Sequence, residues 1–148
     1  MALVQYDSTR YNHVITRLDN NVPYTITGIA KGEHLTVEME DEPLHSLNVG
    51  LHEDAGSFNV NRSLGAKATY TLERTHRDNA YFSTLASNSI QFRLSIIANY
   101  DEAGLQEVFT FKYAMVENLF MPTHSSETER TTTWVLTGRI GDSGMYTV

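Results

Sequence analysis

The stretch AKATYTLERTHRDNAYFSTLASNSIQFRLSIIANY, residues 66–100, changes its hydrophobic period twice. Over residues 66–75, Ala66, Ala68, Tyr70 and Leu72 share one face. Lys67, Thr69, Thr71 and Glu73 share the other. A two-residue period with one apolar side is the mark of a half-buried strand. The period then lengthens. Thr75 stands three residues before Asp78, a variant of the capping box. Tyr81, Phe82, Leu85 and Ala86 follow at the spacing of one helical face. A short helix is predicted over residues 76–86, ended by Ser87-Asn88. Alternation returns over residues 90–100, with Phe92, Leu94, Ile96 and Ala98 on one side.

Working outward toward the C-terminus, DEAG (residues 101–104) reads as a tight hairpin turn, with a glycine available for positive φ. Residues 105–115 return as a strand that places Phe109, Phe111, Tyr113 and Met115 together. Residues 122–126 read as a loop, residues 128–140 as the last strand, and residues 141–148 as a short tail. Toward the N-terminus, residues 11–18 form a first strand, and Asp19-Asn20-Asn21 is a turn signal. Residues 22–27 return beside it. Pro23 has no N–H to give, which suits an edge or a strand start. After Gly28 and Gly32, residues 33–41 read as a third strand. Residues 41–57 read as a long hairpin excursion, and residues 58–62 resume strand character.

The whole is a mainly β chain of about eight strands with one short helix. Short links favour antiparallel pairing. The expected architecture is a β-sandwich or rolled barrel, with the helix plugging one open end. One domain spans residues 1–148. Its expected core anchors are Tyr70, Leu72, Phe82, Leu85 and Trp134, the only tryptophan.

Composition narrows the function classes. The chain has 148 residues, 41% of them hydrophobic, enough for one domain with a real core. No apolar run approaches the ~20 residues of a bilayer span, so no membrane binding is expected. MALVQYDSTR lacks the basic start and apolar core of a secretory signal. The chain has no cysteine, which excludes disulfides, thiolate zinc sites and a cysteine nucleophile. A formal charge of −7 disfavours general attraction to nucleic acid.

The acidic stretch EHLTVEMEDE, residues 33–42, is the first candidate for chemistry. On one strand Glu38 and Glu40 point the same way, opposite Leu35, Val37 and Met39, and lie roughly 7 Å apart. A catalytic pair needs two environments to split its pKa values. These two acids share one, so they read as a wet strand face. His34, His45 and His52, with Glu53 and Asp54, have metal-ligating types but read as exposed loop residues. His124 beside Ser125 and Ser126 lacks the strained turn of a nucleophile elbow. No glycine-rich phosphate loop is present. Arg62, Arg74, Arg77, Arg93, Arg130 and Arg139 are scattered and form no aromatic-lined basic groove. The chain is expected to be no enzyme and to carry no cofactor or metal.

The order of features is familiar. TITGIAKGEHLTVE is followed by VGLHEDAGSFNVNRSLGAKATYTLERTHRDNAYFSTLA, then FTFKYAMVENLFMP, then ETERTTTWVLTGRIGDSG. Together, over residues 25–144, they resemble the tail tube proteins of contractile-tailed (myovirus-type) bacteriophages. The pattern is a glycine-introduced acidic strand, an N-x-S lead (Asn61, Ser63) into a T-x-x-L-x-x-T strand (Thr69, Leu72, Thr75), a short helix with Asn79 and Leu85, and a late strand with Arg130 and Trp134. VGLHEDAGS is longer and less Gly-Asp-like than the compact turn of that pattern.

The resemblance implies a structural virion protein, a tail tube subunit that forms stacked hexameric rings. Each subunit would give a sheet to a continuous inner β-barrel that serves as the channel for DNA ejection. Its partners would be other copies of itself, the tail sheath protein, the tape-measure protein in the lumen, and double-stranded DNA passing without specific binding. Its place would be the virion tail, assembled in the host bacterial cytoplasm. On this reading Glu33, Glu38, Glu40 and Glu73 are candidate lumen-lining residues. Asp41, Glu42, His45, His52, Glu53 and Asp54 are candidate inter-ring contacts. An acidic lumen would repel phosphates and keep passage smooth. The alternatives are a tube component of a contractile secretion system, a tail terminator ring, or a small β-sandwich binding or catalytic module.

Overall fold

A computed structural model describes residues 10–30, 35–40, 45–50, 56–60, 64–121 and 130–147. In chain order the strands are β1 (Tyr11–Arg17), β2 (Pro23–Thr25), β3 (Leu35–Met39), β4 (His45–Val49), β5 (Gly56–Val60) and β6 (Gly65–Glu73). The helix α1 (Asp78–Ser87) follows, then β7 (Phe92–Tyr100), β8 (Leu105–Val116) and β9 (Thr131–Thr147). The fold is mainly β with a single short helix among the described residues, as the alternation predicts.

Seven strands form one antiparallel sheet in the order β2-β1-β7-β8-β9-β6-β3, and β4 and β5 pair separately as a hairpin. The latest strand in the chain, β9, lies between β8 and β6 and joins the two halves of the sheet. The sheet rolls on itself. His13 of β1 and Tyr70 of β6 have three strands between them, yet His13 Nδ1 lies 3.0 Å from the Tyr70 hydroxyl. The chain after β2 stitches the roll. Ile26 N–H donates to His13 O (2.9 Å), Glu73 N–H to Gly28 O (2.8 Å), and Ala30 N–H to Thr71 O (3.0 Å).

The inner face holds Ile15, Ala66, Ala68, Tyr70, Leu72, Phe92, Leu94, Ile96, Phe111, Ala114, Trp134 and Leu136, all buried. Helix α1 closes this interior with Phe82 and Leu85. Phe82 stacks on Trp134, with ring centroids 5.9 Å apart. Burying each such side chain contributes about 1.5–3 kcal/mol.

The helix is held at its first turn by side chains that reach far along the chain. The carboxylate of Asp78, fully buried, accepts the N–H groups of Thr27 (2.9 Å) and Gly28 (2.7 Å) and the hydroxyl of Tyr24. The Asn79 amide NH₂ lies 2.8, 3.1 and 3.0 Å from the carbonyls of Glu73, Arg74 and His76. Its Oδ1 accepts the Trp134 indole N–H at 3.0 Å. A Cβ on Gly28 would stand 2.3 Å from the His76 ring, so only glycine lets the segment pass so close to that ring.

Two expectations are corrected. Phe109, Phe111, Tyr113 and Met115 do not share a face. The register slips between Thr110 and Phe111 and between Phe111 and Tyr113. The extra residue inverts parity. Phe111 and Ala114 therefore turn inward, and Tyr113 is 46% exposed. Nor do residues 141–147 form a tail. They continue β9 and pair with β8 from Asp142↔Thr110 to Thr147↔Leu105. GDSGMYT lacks alternation because its two glycines and exposed side chains bury little. Backbone pairing with a long neighbour needs no such pattern.

Candidate assembly surfaces

The outward face of β3 and β6 carries the described acidic candidates. In the register Glu38 stands opposite Lys67. Just beyond β3, Glu40 N–H donates to Gly65 O, and its carboxylate lies 3.6 Å from Lys67 Nζ and 3.3 Å from Thr137 Oγ1. Glu117, past the end of β8, takes the same ammonium at 3.0 Å. Its hydrogen bond to the Glu117 carboxylate is the main reason that the Lys67 ammonium holds its proton more tightly than usual. Two carboxylates, Glu40 and Glu117, thus engage one lysine on an exposed face, with Glu38 opposite it in the register. Glu73 lies on that same face at the far end of β6, exposed.

Glu33 lies outside the described residues, as do Asp41, Glu42, His52, Glu53 and Asp54. His45 opens β4 and pairs with Val60. The structure therefore brings Glu38 and Glu40 together and sets Glu73 apart from them. Lys67, Glu117 and Thr137 were missed by reading acids alone. The alternation that placed Lys67 beside Thr69 carried the signal.

The outward sheet face also forms a groove of about 670 Å³, lined by Thr16, Arg93, Ser95, Thr110, Lys112 and Tyr113 among others. Its polar lining is hydroxyls, the Gln91 amide and two cations. Among the described residues, no group of three or more His, Asp or Glu side chains is placed to hold a metal ion. No helix is long and apolar enough to cross a membrane among them.

Two apolar surfaces were not foreseen. On the β4–β5 hairpin Leu47 faces Phe58 across the ladder and Val49 faces Gly56. Leu47, Val49 and Phe58 are 58%, 78% and 71% exposed. The second is the strap after β8, where Leu119, Phe120 and Met121 stand in a row and are all exposed. Asn118 pins its root. The side chain donates to Thr133 O (3.3 Å) and accepts Val135 N–H (2.9 Å), which imitates a ladder pair with β9.

The sheet also has open edges among the described residues. β3 ends the strand order on one side and the three-residue β2 on the other. Beyond Arg139, β9 keeps β8 as its strand partner, and β6 no longer accompanies it. Open edges of this kind are templates for another chain.

No family model matches this sequence, and no curated protein does. Several chains of solved structures are similar, and one of these is similar over nearly its whole length. It is a chain in the cryo-EM structure of the anti-feeding prophage (AFP) baseplate, 6-fold symmetrised. Identity is 13%, coverage is 99% of this chain and 98% of that one, and the TM-score is 0.58. The two chains share a fold.

Proposed function

We propose that this chain is a structural subunit of a contractile, phage-tail-like particle, and within it a tube subunit that self-assembles into stacked hexameric rings. The observation that carries this reading is the end-to-end likeness of fold to a chain of a contractile particle's baseplate. The open sheet edges and the two uncovered apolar surfaces support it, since ring closure would cover both. The outward face with Glu38, Glu40 and Glu73 would line the channel. The sheath would enclose the tube, and the tape-measure protein and then double-stranded DNA would occupy the lumen. Lys67, Arg93 and Lys112 stand on that face too, so the lining is mixed and not a pure acidic wall. A mixed, hydroxyl-rich surface still fits passage without tight phosphate binding.

A second reading places the chain in one ring at the baseplate end, or in the tube of a contractile secretion system. It is favoured by the origin of the similar chain in a baseplate. Negative-stain microscopy of purified protein separates a tube subunit, of either kind of particle, from a subunit of a single ring. Long tubes of stacked rings support the tube subunit, and isolated rings support the single-ring reading. A strictly monomeric species at high concentration, with an assembly initiator supplied, overturns both.

A further inference from the structure

Three cations that stand on three different strands meet on the outward face of the sheet. Between Phe92↔Ala114 and Leu94↔Phe111 the ladder carries one residue on β7 and two on β8, so Arg93 stands opposite the pair Lys112-Tyr113. The same bulge lets the neighbours Lys112 and Tyr113 both face outward, and both are exposed. Tyr113 pairs in turn with Arg139 of β9, also exposed. Arg93 and Lys112 line the groove of about 670 Å³, and Arg139 lines an adjoining one of about 410 Å³. Tyr113 and Gln91 border both and form the wall between them.

Such a gathering works against the sheet as it stands, because like charges on facing strand positions repel. Among the described residues, neither groove has a carboxylate in its lining, and no acid pairs with Arg93, Lys112 or Arg139. Asp142, opposite Thr110 in the ladder, already takes the Tyr146 hydroxyl. The chain as a whole carries a formal charge of −7, so its composition does not by itself produce a cationic patch. Hydroxyls complete the lining. Thr16 pairs with Arg93, and Ser95 and Thr110 lie close by. A Cβ on Gly141 would stand 2.9 Å from Thr110 Oγ1, so glycine there keeps that hydroxyl clear.

We propose that this patch is a binding site for a phosphate group, with Arg93 and Lys112 as its principal contacts and Arg139 and the hydroxyls around them. The supply of donors favours phosphate over a carboxylate. Two guanidinium forks, an ammonium and several hydroxyls offer more donors and more charge than one carboxylate can use. A free phosphate ion carries about two charges and more acceptor oxygens, and a guanidinium fork matches its geometry. Successive phosphates of a nucleic-acid strand would spread the same charge over the neighbouring cations. The grooves are open, so the ligand is held weakly and exchanges. The site is complete on one chain and stands whether or not that chain forms a tube.

The probe is inorganic phosphate, followed by the broadening of its ³¹P resonance when protein is added at low ionic strength. The unaltered chain should broaden the line, and Arg93→Ser combined with Lys112→Ser should remove the effect. Both side chains are exposed, so the melt of the double variant should hold. Lys67→Ser is the control, since that ammonium is already engaged by Glu40 and Glu117, and it should leave the broadening as it is. A fluorescent DNA duplex distinguishes the source of the phosphate. If the backbone is a ligand, the double variant binds the duplex on the order of tenfold more weakly, and the log–log salt slope falls by about two. Phosphate binding without duplex binding assigns the site to the free ion. No broadening by the unaltered chain, equal broadening by the double variant, or equal loss in Lys67→Ser overturns the proposal. So does polyglutamate that displaces phosphate as well as polyphosphate of the same length, which would make the patch a carboxylate site.

Discussion

At the residue scale, Asp78 holds more of the fold than its position suggests. A carboxylate in the first turn reads locally as a cap for its own helix. In the structure it turns away and takes the N–H groups of Thr27 and Gly28, about fifty positions earlier, with the Tyr24 hydroxyl. The capping reading could find Asp78 but not its partners, because a local pattern is blind to segments joined only by the roll. Asp78→Ala would leave the buried Gly28 N–H and the part-buried Thr27 N–H unpaired and should cost roughly 3 kcal/mol in urea unfolding. Asp78→Asn should lose less, since its amide oxygen can keep the two N–H groups and its NH₂ can donate to the Tyr24 hydroxyl, which also accepts.

Tyr24 gives a second check at this scale. Burial, then its hydrogen bond to Asp78, push its pKa up to about 12. The folded state therefore keeps a proton that the unfolded chain gives up near pH 10. The sign follows. This contribution is complete below pH 10 and is lost as pH rises toward about 12. A tyrosinate absorbance titration should show one fewer late-titrating group in Tyr24→Phe, with stability lowered by about 1 kcal/mol at neutral pH.

At the element scale, alternation made most of the sheet legible. β6 and β7 read almost as they fold, since each strand carries an unbroken period on a fully covered face. β8 was misread past its bulge, because one inserted residue inverts every later position and leaves no mark in composition. The end of β9 was misread because polarity there hides regular pairing. Removing residues 141–147 therefore takes away part of a strand and strips the first half of β8 of one neighbour. That truncation should lower the melting temperature by several degrees and broaden the transition. Were residues 141–147 a dangling end, the melt would not move.

At the scale of the whole molecule, the legible part was the amphipathic design of the sheet, and the hidden part was which surfaces lack a cover. Leu47 and Val49 alternate like any strand pair, and no property of the sequence separates a covered apolar face from a bare one. The acidic strand face was legible, but the pairing of β3 with β6 that sets Lys67 beside it was not. If that face lines a channel, Glu38→Lys should leave the melt and ring assembly nearly unchanged, as exposed substitutions do. It should slow DNA ejection by adding a phosphate contact. Unaltered infectivity of particles carrying the variant would sink the lumen assignment.

The central place of β9 has a consequence for the life of the chain on the ribosome. β1, β7 and β8 emerge with β2 as one partial sheet, and β6 emerges with β3 as another. They become neighbours in the ladder only when the latest-made strand enters between them. Translation delivers residues one after another, slowly compared with local folding. A stalled or clipped product that lacks β9 thus carries two half-sheets held together only by the segment after β2. Such a product leaves the inner faces of both half-sheets bare and is open to proteolysis, whereas a chain whose synthesis has passed β9 can close its roll.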